Sequence, residues 1–448
     1  MLDQMFTAEN FRRIYDSENR KGLDLADRYF PKLEPHTLEI RDKVKEVREL
    51  RSKEATLKFE DFTLQLVALK RDLAILKAKK SAAVDDAMET ISIQVLQPNY
   101  KIKLSEKIGP KGKPVYCIDA TPTAFFVIKQ LQRNIYRIYG VKQSNRHDLV
   151  CQIRDTVTSK FPFEMIRTDI SSFYESIDRK RLVEKLDRDQ LLSPSSKKFI
   201  KQVMDSYGAI SGTLTGIPRG VGISAYLAEL YLRPVDKEIR AIPGLVLYCR
   251  FVDDVVAVFA RPPAGKALGS YQSLVTNIFA ENGLTHNVNK TFEFDLAKLD
   301  IKKFEYLGYR FLLRPGHCEV KPSASKISKY KMRTNAAFEA YWQECSNDSR
   351  RAYRNLVARI KFLTGNTRLS NSKSRATTGI YYNNSIVNEL SSFALLDKLL
   401  KTRVAKIKRA SLRKRLKPYK FTDGFQTKRF HNFSTRELQT IVSVWKHG

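Results

Sequence analysis

The stretch that decides the fold is Tyr248-Cys249-Arg250-Phe251-Val252-Asp253-Asp254-Val255-Val256-Ala257-Val258-Phe259. Apolar residues flank two adjacent carboxylates on both sides, and Val and Phe dominate the second half. Because such residues favour β-strands, the stretch predicts a β-hairpin with Asp253 and Asp254 at its turn. An Asp-Asp pair is also an ordinary turn sequence, so the pair alone does not indicate a site.

A third carboxylate lies in a similar setting upstream. Residues 165–168 read as a short strand that ends at Asp169 and runs into the aromatic residues Phe173 and Tyr174. Strand ends of this kind can bring three carboxylates to two divalent cations about 3.5–4 Å apart, which hold the attacking and leaving oxygens of a phosphoryl displacement. The pattern therefore predicts the chemistry of a nucleic-acid polymerase.

The composition favours a polyanionic partner. The 448 residues include 80 Lys and Arg against 48 Asp and Glu, a net charge of +32, and the length predicts two or three domains. A membrane surface is the competing partner. It is not expected, because no apolar run approaches the roughly 20 residues of a membrane span and the N-terminus shows no signal pattern.

The cysteines bear on the compartment. The five cysteines are scattered and form no CxxC pair, and the six histidines show no metal-ligand spacing. Neither a zinc site nor a disulfide framework is indicated. This pattern fits a reducing cytoplasm, which is the expected location.

Both ends of the chain predict helices. Residues 1–90 carry apolar residues at helical spacing among charged ones, which indicates two or more amphipathic helices. Beyond residue 323 the chain is basic, and residues 401–420 hold ten Lys or Arg and no acid. Interleaved apolar residues predict one amphipathic helix there, whereas the polar residues 365–385 predict a long loop.

Three further segments leave two interpretations open. The basic turn at 109–116 is either a solvated hairpin tip or a mobile loop that places Lys111 and Lys113 on a triphosphate. The glycines at 216–222 either let the backbone approach a ligand or form a plain loop with Ser224 as a helix cap. The aromatic strand 304–311 is either sheet core or a hairpin that grips a primer near Gly308.

The order of these pieces resembles the palm motifs of reverse transcriptases. Asp169-Ile170-Ser171-Ser172-Phe173-Tyr174 resembles motif A, Gly216-Ile217-Pro218-Arg219-Gly220 motif B and Phe251-Val252-Asp253-Asp254 motif C. Asn289-Lys290-Thr291 resembles motif D, and Tyr306-Leu307-Gly308-Tyr309 resembles motif E. The resemblance covers roughly residues 90–320. Five motifs in the family's order are a specific signal for that family.

Within that family the chain is similar to bacterial enzymes, which include group II intron proteins, retrons and the antiviral unknown-group and abortive-infection reverse transcriptases. The run from Asp169 to Ile177 resembles the last group most. Two departures stand out. Arg219 occupies the position where motif B commonly has Gln, which leaves fidelity and template use open, and Phe251 replaces the usual Tyr of motif C.

The resemblance implies a set of site residues. Asp169, Asp253 and Asp254 would bind two Mg²⁺, with Mn²⁺ as the alternative, and Ile170 would belong to the metal and substrate sites. Lys290 would donate a proton to pyrophosphate, and Tyr174 would exclude ribonucleotides. The remaining substrate-binding residues are Lys111, Lys113, Phe173, Pro218, Arg219 and Gly220.

The expected fold is α+β, a right-hand polymerase. A helical N-terminal extension (1–90) would precede fingers and palm (91–320), with an antiparallel sheet flanked by helices, and a basic helical thumb (321–448) would follow. The expected function is RNA-directed DNA polymerisation of dNTPs on a structured noncoding RNA in bacterial antiphage defence. A homo-oligomer or a neighbouring defence protein is compatible with the resemblance. The alternatives are a retron-type or group II intron-type enzyme or maturase, and a non-catalytic RNA-binding scaffold.

Overall fold

The computed structural model describes residues 3–54, 58–109, 112–142, 144–159, 161–261, 269–298, 301–314, 316–369 and 376–445. The helices, with 3₁₀ turns at Pro31–Leu33 and Val288–Lys290, are α1 (Ala8–Arg20), α2 (Leu25–Tyr29), α3 (Glu34–Ser52), α4 (Phe59–Leu96), α5 (Pro122–Tyr139), α6 (Arg146–Val157), α7 (Phe173–Ser176), α8 (Arg179–Asp189), α9 (Pro194–Ser211), α10 (Ser224–Arg240), α11 (Tyr271–Glu281), α12 (Ala324–Cys345), α13 (Ser349–Thr364), α14 (Ser391–Ala405), α15 (Ala410–Leu416), α16 (Phe421–Gln426) and α17 (Thr435–Ser443). The strands are β1 (Leu104–Ile108), β2 (Pro114–Ile118), β3 (Phe163–Asp169), β4 (Leu245–Phe251), β5 (Asp254–Ala260), β6 (Phe292–Asp295), β7 (Lys302–Tyr306), β8 (Tyr309–Arg314), β9 (His317–Pro322), β10 (Asn366–Arg368) and β11 (Thr377–Gly379).

The chain divides into two compact units, Met1–Lys142 with Ser172–Pro234, and Gln143–Ser171 with Val235–Gly448. In the first unit, α1 packs on α4 and α5, α3 packs on α4, and β1 pairs with β2. Local chemistry delimits α5. The Thr121 hydroxyl accepts a hydrogen bond from the Ala124 amide, Pro122 occupies the first turn, and Gly140 ends the helix at φ +58°.

The second unit is built on a four-stranded antiparallel sheet in the order β4-β5-β3-β6. The two central strands are almost continuously buried, and the apolar run of β5 fits a strand with both faces covered, whereas β3 carries Arg167 and Thr168 among its buried residues. Helix α6 packs on β4 and α11 packs on β3. Because β3 and β5 pair in antiparallel register, the carboxyl end of β3 and the amino end of β5 meet at one end of the sheet.

Two further layers extend this unit. The three-stranded sheet β7-β8-β9 shares its apolar core with the first sheet, through side chains that include Phe304, Phe311 and Val320. Helices α12–α16 enclose a separate core around Phe338, Leu356 and Phe393. Within the described residues, no helix combines the length and the apolar character needed to cross a membrane.

Two local predictions near the C-terminus were wrong. Residues 401–420 do not form one helix, because α14 ends at Ala405 and α15 begins at Ala410. Ile407 and Leu412 are both buried but five residues apart, a spacing that one straight helix cannot place on one face. The predicted loop at 365–385 contains β10 and β11. The buried Asn366 amide donates hydrogen bonds to the Arg429 and Gly424 carbonyls, partners that are distant in sequence.

Candidate functional site

Two of the three candidate carboxylates lie opposite each other at one end of the four-stranded sheet, and the third lies in the adjoining turn. Asp169, the last residue of β3, lies directly opposite Asp254, the first residue of β5. The Ile170 amide donates a hydrogen bond to the Asp253 carbonyl at 3.1 Å, which continues the pairing past the strand end. Side chains directly opposite each other in antiparallel strands project from the same face about 4.5–5.5 Å apart. Asp169 and Asp254, which are 85 residues apart in sequence, are therefore neighbours.

The hairpin turn differs by one residue from the prediction. Phe251 pairs with Asp254, so the turn consists of Val252 and Asp253, and Asp254 belongs to β5. Tertiary pairing with Asp169 draws Asp254 into the strand, which local sequence could not indicate. Val252 has φ +59°, a left-handed conformation that costs a β-branched residue free energy.

Arg250 supports this strained turn. Its guanidinium donates two hydrogen bonds to the Asp236 carboxylate, each at 2.7 Å, and a third to the Val252 carbonyl at 3.0 Å. The Tyr248 hydroxyl donates to the same carboxylate. Because the Arg250 side chain is only 9% exposed, this network is shielded from solvent and holds the turn in place.

We expect Arg250→Gln to destabilise the protein by about 3 kcal/mol, because the substitution leaves the Asp236 carboxylate without its buried cation. Urea unfolding measures this loss. Arg261→Gln is the matched control, since Arg261 pairs with Glu164 and Asp295 on the same sheet but its side chain is 45% exposed. The control should lose less than about 1 kcal/mol. Equal losses in the two variants would show that Arg250 does not brace the turn.

Two cations neutralise the paired acids. Lys290 Nζ lies 2.6 Å from Asp169 Oδ2, and Arg167 Nη2 lies 3.0 Å from Asp254 Oδ1. Arg167 also donates to the Lys290 carbonyl at 2.9 Å, which connects β3 to the 3₁₀ turn that carries Lys290. Arg167 was missed in the sequence. The available signal was its position two residues before Asp169, which places both side chains on one face of the strand.

Asp254 is electrostatically distinct. Burial, the largest cause, and the neighbouring Asp169 and Asp253 carboxylates raise the pKa of Asp254 to about 7, although Arg167 and Lys290 oppose the rise. Asp254 Oδ1 is buried and accepts no hydrogen bond from the described residues, because Arg167 approaches it out of line. A buried anionic oxygen without a donor is suited to bind a cation.

This raised pKa predicts a pH-dependent stability. Protonated Asp254 is favoured in the folded chain, so its stabilising contribution is complete below the ordinary pKa near 4 and is lost as the pH rises through about 7. In EDTA, wild type should therefore lose about 3 kcal/mol relative to Asp254→Asn between pH 5 and 8. Urea unfolding of both proteins measures this difference, and a constant difference would contradict the raised pKa.

The donor set fits a hard divalent cation. Carboxylate oxygens without Cys or His are the ligands that Mg²⁺ and Mn²⁺ prefer, and like charges opposite each other in a sheet are unfavourable without a neutralising cation. Among the described residues, no three acidic, His or Cys side chains surround one metal position. Lys290 and Arg167 engage Asp169 and Asp254 instead, so metal binding requires these contacts to rearrange.

The glycine loop at 216–224 belongs to the first unit, where it packs on the turn that follows β3. The Gly216 amide donates to the Ile177 carbonyl at 2.7 Å, and the Ile217 amide donates to the Tyr174 carbonyl at 2.8 Å. Gly216 has φ +86°, and a Cβ atom there would lie 3.0 Å from the Glu175 backbone. Glycine is required because the two backbones are in contact.

The other predicted site residues lie in different environments. Ile170 and Phe173 are 1% and 2% exposed. Because an Ile side chain has no donor atom, only the main-chain carbonyl of Ile170 is able to ligate a metal ion. Pro218 is buried, and its carbonyl accepts a hydrogen bond from the Ser224 hydroxyl. Lys113 is exposed just before β2, and Lys111 lies outside the described residues.

Arg219 and Gly220 contact β2. The Tyr116 amide donates to the Arg219 carbonyl at 2.7 Å, and a Cβ atom on Gly220 would lie 2.7 Å from the Tyr116 carbonyl oxygen. The structure therefore brings the 216–224 loop to the strand that follows Lys113. The Arg219 guanidinium faces Glu175, which sequence reasoning did not single out.

The aromatic strand at 304–311 is a hairpin. Leu307 and Gly308 both have positive φ (+48° and +84°), as in a two-residue type I′ turn between β7 and β8. Tyr306 is buried, and its hydroxyl donates to the Asp254 carbonyl at 3.4 Å. This segment is therefore sheet core that supports the strand end at Asp254, whereas its contact with a primer stays a prediction.

Residues 126–311 match the family model described as reverse transcriptase (RNA-dependent DNA polymerase). No curated protein matches the sequence. The matched segment contains all three carboxylates, Lys290 and the 216–224 loop. The match supports the predicted enzyme class. With the helices and antiparallel sheets described above, it also confirms the predicted α+β polymerase fold with fingers and palm.

Solved structures of telomerase are similar at low identity. The structure of apo telomerase from Candida tropicalis matches at 14% identity with a TM-score of 0.41, and telomerase from Candida albicans in complex with the TWJ fragment of telomeric RNA matches at 11% identity with a TM-score of 0.38. Each match covers 78% of this chain, and it covers 63% and 66% of those chains, respectively. At these TM-scores the likeness supports no statement about substrate or partner.

Proposed function

Because residues 126–311 match the reverse transcriptase family model, we propose that the protein is an RNA-directed DNA polymerase in which Asp169, Asp253 and Asp254 hold the divalent cations used to polymerise dNTPs on an RNA template. The proposal rests on the observation that Asp169 lies opposite Asp254, with Asp253 in the adjoining turn. Two Mg²⁺ are the proposed ions, with Mn²⁺ as the alternative, because all three ligands are carboxylates. When bound, such ions lower the pKa of the primer hydroxyl and neutralise the triphosphate.

The remaining site residues handle the nucleotide. Lys290, whose side chain is 52% exposed, donates a proton to the departing pyrophosphate. Tyr174 lies under the sugar and excludes a 2′-hydroxyl. Lys111 and Lys113 bind the triphosphate. The 216–224 loop, which contains Pro218, Arg219 and Gly220, forms part of the substrate site. The close approach of the Gly216 backbone to the Glu175 backbone supports a fixed position for this loop.

We further propose a biological setting in bacterial antiphage defence, with a structured noncoding RNA as template and DNA as product. The run from Asp169 to Ile177 supports this setting by its resemblance to defence enzymes, and the net charge of +32 supports an RNA partner. A second copy or a neighbouring defence protein is the proposed protein partner. The five free cysteines support a reducing cytoplasm as the location.

The proposed domain division assigns residues 1–90 to a helical extension, 91–320 to fingers and palm, and 321–448 to a thumb that binds RNA. The helices α14 and α15 support the assignment of residues 321–448 to an RNA-binding thumb, because their basic residues lie between and beside buried apolar residues. Exposed cations on a packed helical surface attract nucleic-acid phosphates.

Nucleotide incorporation by the purified protein tests the function. The protein with its co-purified RNA is incubated with labelled dNTPs and Mg²⁺, and the bound RNA and the product are sequenced. DNA synthesis that requires Mg²⁺ and copies the bound RNA supports the proposal. RNA binding without any incorporation would instead favour the non-catalytic scaffold. A bound intron RNA or a retron-type RNA would favour those enzymes over a defence enzyme. Phage resistance that survives Asp253→Asn would favour the non-catalytic scaffold.

A further inference from the structure

An ion pair in the first unit joins the two segments that carry Tyr174 and the 216–224 loop. Arg219 Nη2 lies 3.0 Å from Glu175 Oε1 and 3.2 Å from Glu175 Oε2. Glu175 directly follows Tyr174 in α7. The Arg219 guanidinium also lies 5.6 Å from the centroid of the Tyr174 ring, within the range of a cation–π contact. One side chain therefore contacts both the carboxylate and the ring.

The backbone already fixes one side of this arrangement. The Tyr174 carbonyl accepts from the Ile217 amide, and the Arg219 carbonyl accepts from the Tyr116 amide. The main chains of Tyr174 and Arg219 are thus anchored, and the position of the Tyr174 ring depends on its neighbours. Its ring neighbours include Phe173, at 5.6 Å between centroids, and the Arg219 guanidinium. Phe173 is buried, and Arg219 places a cation against the Tyr174 ring.

The position of Arg219 indicates that its ion pair with Glu175 has a role other than stabilising the fold. The side chains of Arg219 and Glu175 are 33% and 41% exposed, and a pair of this exposure contributes little to folding. A guanidinium offers both a charge and a planar group when it binds a carboxylate and lies over an aromatic ring, whereas Gln lacks the charge and Lys lacks the planar group. The arrangement therefore restricts the orientation of Tyr174 rather than the fold.

We propose that Glu175 and Arg219 are positioning residues that hold the Tyr174 ring and thereby set the discrimination between dNTPs and rNTPs. The inference rests on the proposed role of Tyr174 in excluding the 2′-hydroxyl. Arg219 then acts through Tyr174, and its charge is used by Glu175 instead of by a template or triphosphate phosphate. The pair replaces the Gln that motif B commonly carries with a cation that is bonded to motif A.

The test measures kcat/KM for dATP and for ATP on the template and primer that wild type extends, together with Tm. We expect Arg219→Gln and Glu175→Gln each to lower the dATP/ATP ratio by about tenfold. Tyr174→Ala should lower it further. Arg219→Lys should give an intermediate ratio, because it keeps the charge without the planar group. The double exchange Glu175→Arg with Arg219→Glu should restore part of the ratio.

Arg12→Gln is the matched control, because it removes an Arg–carboxylate pair with Asp85 in the same unit and contacts neither segment. It should leave the ratio unchanged, and all variants should keep Tm within about 2 °C. If Tyr174→Ala changes the ratio but the Arg219 and Glu175 variants do not, the positioning role is wrong and the Tyr174 role stands. A Tyr174→Ala variant with wild-type discrimination would overturn both. Single variants that the exchange fails to rescue would show that Arg219 contacts substrate directly.

Discussion

Asp169→Asn and Asp254→Asn should each reduce dNTP incorporation by at least about 1,000-fold, measured as single-turnover extension in Mg²⁺. Each substitution replaces an anionic ligand with a neutral amide that has about the same volume, so packing at the sheet edge is conserved. The loss should be large because the two side chains face each other across β3 and β5 and would bind shared cations. Binding of RNA should change little, since the basic surface is intact.

A matched control separates catalysis from folding. Asp295→Asn alters an acid on β6 in the same sheet, where Asp295 pairs with Arg261 away from the three carboxylates. We expect this variant to retain wild-type incorporation. Mg²⁺ at pH 8 should raise the Tm of wild type and of Asp295→Asn but not of Asp254→Asn. Robust synthesis by purified Asp254→Asn, or an equal Mg²⁺ shift in all three proteins, would exclude Asp254 as a metal ligand.

Lys290→Ala should lower kcat by about 100-fold or more, which is the usual contribution of a positioned general acid. The Lys290 ammonium lies 2.6 Å from the Asp169 carboxylate, and its carbonyl is bound by Arg167, so the side chain starts from a fixed point beside the candidate metal ligands. Its 52% exposed side chain is free to move toward an incoming nucleotide. Rapid-quench measurement of single-nucleotide addition gives kcat and KM separately.

Two further variants test which property of Lys290 is needed. Lys290→Arg keeps the positive charge but is a much weaker proton donor, so we expect it to retain KM while kcat stays low. Lys303→Ala removes an exposed lysine from β7 and should leave both constants unchanged. If Lys290→Arg matched wild type, Lys290 would serve only as a cation for Asp169. If Lys290→Ala matched wild type, neither role would hold.

The candidate acids were predictable from their local sequence, but their surroundings were not. Apolar residues around Asp253-Asp254 and before Asp169 indicate strands whose ends carry carboxylates, since buried strands have continuous apolar runs. Arg167 and Arg250 are single basic residues inside such runs. Nothing nearby in sequence indicates that one faces Asp254 and the other binds Asp236. Residues 401–420 and 365–385 were misread for a related reason, because contacts with distant residues decide where these segments break or pair.

By itself, the sequence determined the order of the motifs, the three carboxylates, the basic charge and the mixture of helices with apolar strands, because these follow from residue type and short-range periodicity. Only the tertiary structure decided that Asp254 begins a strand opposite Asp169, that Val252 adopts a strained turn, and that Arg219 pairs with Glu175. Strand register and ion pairing depend on the packing of segments tens of residues apart, and that packing depends on the whole core and not on local preference.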